Sequence, residues 1–159
     1  FFSLIFNFSI FLGFLIGVRI LSVESQETCD AVYREMSESS KTVDFPGIAV
    51  VVSENSKVVG VVTDGDFRRA YSDDYDFQMP IASIMNPSPL TITNIELESH
   101  NFSSYTKWLE SNSKVPLVCL VTCTEKRLIG GIHTSKITKI INSKSLIRKY
   151  ICMRNIFPI

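Results

Sequence analysis

The feature that most constrains how this chain folds is an internal repeat at an interval of seventy residues. Two apolar blocks recur at that interval. Leu90–Thr93 aligns with Ile20–Val23, and Arg127–Gly130 aligns with Lys57–Gly60. The apolar spacing of the last helix recurs as well, with Ile137, Ile140 and Ile141 on Phe67, Ala70 and Tyr71. Self-similarity at a fixed interval is typical of duplicated supersecondary units. The sequence therefore predicts two related halves between residues 19 and 150.

Apolar periodicity predicts the order strand, helix, strand, strand, helix in the first half. The predicted elements are a strand over Arg19–Glu24, a helix over Ser25–Ser39, and strands over Ile48–Val52 and Lys57–Thr63. One helix face is expected to carry Cys29, Val32, Tyr33 and Met36. In the second half, the pattern predicts a helix face from Phe102, Tyr105, Trp108 and Leu109, and a strand over Val115–Val118.

A short polar stretch, Thr63-Asp64-Gly65-Asp66, follows a buried strand and precedes a helix that opens with two arginines. Asp64-Gly65 is a typical turn dipeptide, in which glycine takes backbone angles closed to other residues. Thr63 or Asp66 can cap the helix, whose positive end favours an anion. An ionised Asp66 can also accept both hydroxyls of a ribose. A plain surface helix cap is equally compatible with this turn.

The same residues resemble the end of a cystathionine-β-synthase-type (CBS) domain, whose signature is Gly, two apolar residues, Thr or Ser, two variable residues and Asp. Gly60 to Asp66 match that signature. With Arg68-Arg69 added, the stretch is similar to the CBS pairs of bacterial arabinose-5-phosphate-type sugar-phosphate isomerases and of CBS-containing sugar nucleotidyltransferases. Ile84–Pro89 resembles the Ile-Met-Asn-x-x-Pro of the second group.

The resemblance implies an α/β fold, a tandem CBS-domain pair of two βαββα-type repeats about a pseudo-twofold axis. Repeat 1 is expected over residues 19–85 and repeat 2 over residues 86–150, followed by a tail over residues 151–159. Clefts between the repeats of such pairs bind adenosine nucleotides or related ligands. The implied ligand set is Asp66 for the ribose hydroxyls, Thr63 for ribose or phosphate, Val61 and Ile48 for the base, and Arg68 or Arg69 for phosphate. Asp66 is expected to be exposed, so that Asp66→Ala leaves the fold intact.

The second copy differs at the corresponding turn. His133 stands in the place of Thr63 and Lys136 in the place of Asp66, so a cation replaces the diol-binding carboxylate. Two interpretations remain open. Lys136, with His133 beside it, faces the phosphates of a ligand held by the first copy, or both belong to the surface of a degenerate repeat.

Residues 1–18 form an uncharged segment of mainly Phe, Leu, Ile, Ser and Gly. Its length reaches the lower limit for a membrane span and also resembles the apolar part of a signal peptide. Asn7 and several serines weaken a span, and no basic segment precedes it. We therefore expect an apolar helix packed on the module or a non-native end. A membrane or export segment is the less favoured alternative. The absence of an initial Met is expected of a fragment or a processed product.

Composition bears on the function classes. Formal net charge is zero, so no basic excess favours nucleic acid. The four cysteines form no Cys-x-x-Cys pair, which favours reduced thiols in a cytosolic protein over zinc or disulfides. No residue set has the spacing of a metal site or a catalytic triad, and both glycine-rich phosphate motifs are lacking. We therefore expect no catalysis from these residues.

The resemblance implies a cytoplasmic regulatory module that binds AMP, ADP, ATP or a CMP-sugar and forms a homodimer. Its expected target is an attached or partner catalytic domain, a sugar nucleotidyltransferase or a sugar-phosphate isomerase. The alternative is a dimerisation module that needs no ligand.

Overall fold

The computed structural model describes residues 19–112, 114 and 116–143. The first half contains strand β1 (Leu21–Glu24), helix α1 (Cys29–Ser39), strands β2 (Ile48–Val52) and β3 (Val58–Thr63), and helix α2 (Asp64–Ser72). A linker with a short 3-10 helix (Ile81–Ser83) leads to the second half. The second half contains strand β4 (Thr91–Thr93), helices α3 (Asn94–Ser99) and α4 (Ser103–Ser111), strands β5 (Val118–Thr122) and β6 (Leu128–His133), and helix α5 over residues 134–143.

Each half forms one three-stranded sheet, ordered β1-β2-β3 and β4-β5-β6. In both sheets the first pair of strands is parallel and the second pair antiparallel. The register repeats as well, because Val50 pairs with Val61 and Leu120 pairs with Gly131, seventy residues further on. The predicted duplication and the predicted α/β class are therefore confirmed.

Each half has its own hydrophobic core. Corresponding residues fill corresponding places: Val51, Val62 and Phe67 in the first core, and Val121, Ile132 and Ile137 in the second. All six are at most 2% exposed. The linker contributes to the first core through Ile81 and to the second through Leu90. Each sheet thus buries its apolar face against its own helices.

Among the errors in the predicted boundaries, those at the starts of α1 and β5 have local reasons. Helix α1 begins at Cys29 because the Thr28 hydroxyl accepts the Ala31 N–H (3.3 Å) and caps it there. Strand β5 begins at Val118, since the carbonyls of Pro116 and Leu117 accept hydrogen bonds from Thr134 at the start of α5 instead of entering the sheet. Val115 lies outside the described residues.

The predicted face of α1 was right for three of its four residues. Cys29, Val32 and Met36 are buried, whereas Tyr33 is 49% exposed. Cys29 and Cys119 are buried, whereas Cys123 is only half-buried, and burial raises the pKa of Cys29 and Cys119. Cys152 lies outside the described residues.

Within the described ranges, no helix combines the length and the apolar character that a bilayer crossing requires. The apolar segment over residues 1–18 lies outside those ranges, as do residues 144–159. The expectations for both segments therefore stay predictions.

The α3–α4 corner of the second half is organised by the carboxylate of Glu96. Glu96 accepts the N–H of Thr93 (3.0 Å) and the N–H of Ser104 (2.9 Å), and so caps two consecutive helices. Burial alone would raise the pKa of Glu96, but these hydrogen bonds outweigh it and the pKa is lowered from its ordinary value of 4.5. The ionised carboxylate is therefore the form that stabilises the corner.

Replacing Glu96 by Gln is expected to lower the free energy of unfolding by about 1 kcal/mol at neutral pH. Because the folded-state pKa lies below the unfolded one, the contribution of Glu96 is present above 4.5 and is lost as pH falls through 4.5 and then the folded pKa. Urea unfolding at several pH values should show Glu96→Gln and wild type converging in acid. Glu98→Gln, on the exposed side of the same helix, is the control; a pH-independent gap for Glu96→Gln would contradict the role of the charge.

Candidate functional site

A cleft of about 660 Å³ lies between the two halves. Its first wall comes from β2, β3 and the start of α2, and its second from the linker, α4 and the residues that lead into β5. The lining residues are Ile48, Val61, Thr63, Asp66, Arg69, Asn86, Pro89, Leu90, Trp108, Asn112, Lys114, Pro116, Leu117, Val118 and Leu120. Apolar side chains dominate, and the polar groups gather at Asp66, as in small-molecule sites generally.

Strand geometry decides which residues of β3 face the cleft. Successive side chains of a strand point to opposite faces of the sheet. Val62 is fully buried in the first core, so its neighbours Val61 and Thr63 face the other way and line the cleft. Ile48, paired with Thr63 across the ladder, extends the same surface.

Asp66 is held in a fixed position by the residue that ends β3. Its Oδ2 accepts both the N–H of Thr63 (2.8 Å) and the hydroxyl of Thr63 (2.6 Å). Its Oδ1 accepts from the Arg69 guanidinium, one turn along the helix. The Asp66 side chain is only 15% exposed. The expectation that Asp66 is exposed is therefore wrong. Its carboxylate caps α2, so the reason given for expecting Asp66→Ala to leave the fold intact does not hold.

The predicted Asp64-Gly65 turn was also wrong. Helix α2 begins at Asp64, so Gly65 lies in its first turn, and among the described glycines only Gly47 has a positive φ. A Cβ on Gly65 would meet only the Thr63 hydroxyl and the Arg69 guanidinium, at 3.5 and 3.7 Å. These are ordinary contacts, so the backbone here does not require glycine.

Gly60 is the glycine that this site requires. The linker runs beside β3, where Val61 and Asn86 exchange backbone hydrogen bonds of 3.0 and 2.8 Å. A Cβ on Gly60 would lie 2.4 Å from the Met85 sulfur and 2.9 Å from the Asn86 carbonyl oxygen. Only a glycine lets the linker approach this closely, and that approach brings Asn86 into the cleft wall.

The two arginines of α2 diverge. Arg69 lines the cleft and pairs with Asp66, whereas Arg68 lines a separate groove between α1 and α2. That groove, which we call the helix groove, has a volume of about 840 Å³ and carries Tyr33, Met36, Phe67, Tyr71 and Phe77. The structure thus separates two residues that the sequence offers as equivalent candidates.

The corresponding turn of the second half is arranged differently. The Phe45 ring is 5.1 Å from the His133 imidazole, centroid to centroid, and a Cβ on Gly131 would lie 2.9 Å from that ring. Gly131 occupies the position in the second half that corresponds to Val61 in the first. The Phe45 ring covers the surface at Gly131, whereas the corresponding surface at Val61 is open to the cleft. Neither His133 nor Lys136 is among the residues that line the first cleft.

Sequence reasoning missed the second wall of the cleft. Asn86, Trp108, Asn112, Lys114 and Leu117 reach it from the linker and the second half. Residues that close a cleft from another repeat carry no local motif. The one usable signal was the Ile84–Pro89 stretch, which marks where the linker meets β3. Among the described residues, no group of three or more His, Cys, Asp or Glu could hold a metal ion.

Comparison with known proteins identifies the class of fold. Residues 18–73 match the CBS domain family. The cytosolic domain of the Mg²⁺ channel MgtE in complex with ATP has a similar structure, with a TM-score of 0.59 and 20% identity over 79% of this chain. The architecture of two three-stranded sheets with flanking helices is therefore that of a CBS-domain pair.

Two further structures share this fold. A CBS domain protein from Pyrobaculum aerophilum complexed with AMP aligns with a TM-score of 0.52 and 20% identity, covering 74% of this chain and 82% of that one. CBSX2 in complex with AMP aligns with a TM-score of 0.53 and 20% identity, covering 84% of this chain and 96% of CBSX2. This chain spans 46% of the MgtE domain. No curated protein matches the sequence.

Gly60→Ala is expected to lower the free energy of unfolding by about 1–3 kcal/mol, because the added methyl group pushes against Met85 and the Asn86 carbonyl. The matched control is Gly65→Ala, where the methyl group has ordinary contacts and alanine favours the helix by up to about 1 kcal/mol. Chemical denaturation of both variants measures the difference. Equal effects of the two substitutions would contradict the close approach of the linker.

Proposed function

We propose that this protein is a regulatory module that binds an adenosine nucleotide in the cleft between its two halves. The observation that carries the proposal is that Ile48, Val61, Thr63 and Asp66 line one cleft of about 660 Å³ together with residues of the second half. That volume lies within the range of about 300–1,000 Å³ of small-molecule sites. The AMP and ATP complexes of proteins with the same fold support the choice of ligand.

The polar and apolar groups of the cleft suit the parts of a nucleotide. Asp66 is an acceptor for ribose hydroxyls, with Thr63 beside it for ribose or phosphate. Ile48 and Val61 supply an apolar surface for the base, and Trp108 supplies an aromatic one from the second half. Arg69 and Lys114 bring positive charge for phosphate. A ligand that contacts both walls stabilises one arrangement of the halves.

We further propose one nucleotide per chain. At the second turn a cation, Lys136, stands in the place of Asp66, and the Phe45 ring covers the surface that corresponds to Val61. His133 packs against that ring and so acts as a structural residue in this proposal. Binding of a single ligand then controls an attached or partner catalytic domain, with a coupling free energy of about 1–3 kcal/mol.

The identity of the controlled enzyme rests on the Thr63–Arg69 and Ile84–Pro89 motifs. They favour a sugar nucleotidyltransferase or a sugar-phosphate isomerase as the target. A CMP-sugar is then a rival ligand to AMP, ADP and ATP, and competition between CMP-sugar and AMP for the cleft distinguishes them.

Asp66→Asn is expected to weaken nucleotide binding about tenfold or more, because the amide removes the charge and one acceptor from the ribose site. Asn keeps an acceptor for the Thr63 N–H, so most of the helix cap survives, unlike in Asp66→Ala. Isothermal titration with AMP, ADP and ATP measures affinity and stoichiometry, and denaturation of each variant checks its fold.

The matched control is Asp64→Asn, which makes the same change at a residue that faces the helix groove instead of the cleft. Equal affinities of Asp66→Asn and wild type would contradict the ribose site. Two ligands per wild-type chain would contradict the single-cleft proposal.

The helix groove favours a second candidate function, association of two copies of this chain. Tyr71 is 77% exposed and Tyr33 49% exposed, and both flank apolar side chains of Met36 and Phe67. Exposed aromatic residues beside an apolar groove are typical of protein contact surfaces. In this candidate the module is a homodimer whose assembly does not depend on nucleotide.

Tyr71→Ala is expected to raise the dissociation constant of the dimer about tenfold or more, because it removes an anchor at the rim of the groove. Ile95→Ala is the control, since Ile95 is 55% exposed in the second half and lies outside the groove. Sedimentation velocity over a range of concentrations, with and without AMP, measures the association. A monomeric wild type would contradict the homodimer.

A further inference from the structure

The carboxylate of Asp66 is almost fully occupied before any ligand arrives. A carboxylate offers about four acceptor positions, two on each oxygen. Oδ2 already takes two hydrogen bonds from Thr63, and Oδ1 takes one from Arg69. One position on Oδ1 is left. Both hydroxyls of a ribose therefore cannot bind Asp66 while Arg69 stays where it is.

Of the groups that hold Asp66, Arg69 is the one that can leave. Its side chain is 72% exposed, whereas that of Asp66 is 15% exposed. The Thr63 bonds belong to the start of α2, and breaking them would uncap the helix. The Arg69–Asp66 ion pair lies at the cleft surface, where such pairs contribute little stability.

A guanidinium that leaves Asp66 needs another anion. Arg69 and Asp66 both line the cleft, so a ligand that carries phosphate brings that anion with it. Arginine binds phosphate through two parallel hydrogen bonds, which are stronger than its bonds to neutral groups. A nucleoside displaces Arg69 and offers it nothing in return.

We propose that Arg69 is an exchangeable counter-ion of Asp66 that makes the cleft select nucleotides over nucleosides. This inference rests on the proposed nucleotide-binding function. Without ligand, Arg69 neutralises Asp66. With a nucleotide, the ribose takes the Oδ1 position and the guanidinium moves to the phosphate.

The test compares Arg69→Ala with Arg68→Ala in titrations of the full chain with adenosine, AMP, ADP and ATP. The two variants lose the same charge from the same helix, but Arg68 faces the helix groove. Both residues are exposed, so neither substitution is expected to disturb the core, and denaturation checks this.

Arg69→Ala is expected to weaken binding of the tightest nucleotide about tenfold or more, while adenosine binds as well as before or better. Arg68→Ala is expected to keep the wild-type preference for the nucleotide over adenosine. An unchanged preference in Arg69→Ala, or an equal loss for adenosine and nucleotide, overturns the exchange. If Asp66→Asn weakens nucleotide binding in that case, the proposed function stands without the exchange. If wild type binds none of these ligands, both proposals fail.

Discussion

The site depends on the pairing of the linker with strand β3. Val61 and Asn86 exchange backbone hydrogen bonds, and Gly60 allows the approach because any side chain there would meet Met85 and the Asn86 carbonyl. This contact carries the chain along the β3 edge of the first sheet. Pro89, Leu90 and the second half then close a cleft over Val61 and Thr63. Each half keeps a core of its own, and the linker adds a wall that neither core supplies.

Asp66 serves the fold and the cleft with the same carboxylate. Its Oδ2 accepts two hydrogen bonds from Thr63, at the junction of β3 and α2. Its Oδ1 accepts a hydrogen bond from Arg69, which lines the cleft. A group that is held by the backbone on one side is well placed to position a ligand on the other, because its own orientation is already settled. In the proposed function, removing Asp66 lowers both stability and binding, and only a variant that keeps the cap can separate the two.

The duplication preserves the fold but not the chemistry. Strand register and core positions recur at the same places in both halves. The register of the antiparallel pair also shifts at the same place, after Val51 in the first half and after Val121 in the second. The surfaces that face the clefts do not recur, because Gly131 takes the place of Val61 and the Phe45 ring fills the space above it. Core positions are constrained by packing in both copies, whereas the corresponding surface positions carry different residues in the two copies.

The sequence by itself determined the duplication and the order of the elements in the first half, because apolar periodicity and strand alternation are local properties. The short helix α3 (Asn94–Ser99) of the second half was not predicted. The residues of the first wall, Ile48, Val61, Thr63 and Asp66, came from the resemblance to a CBS domain, and they line one cleft. Only the tertiary structure decided that Gly60 and not Gly65 is the required glycine, that Arg69 and not Arg68 faces the cleft, and that Asp66 is partly buried. Each of these depends on what the linker and the second half bring against β3 and α2, and contacts between residues far apart in sequence leave no pattern within either segment.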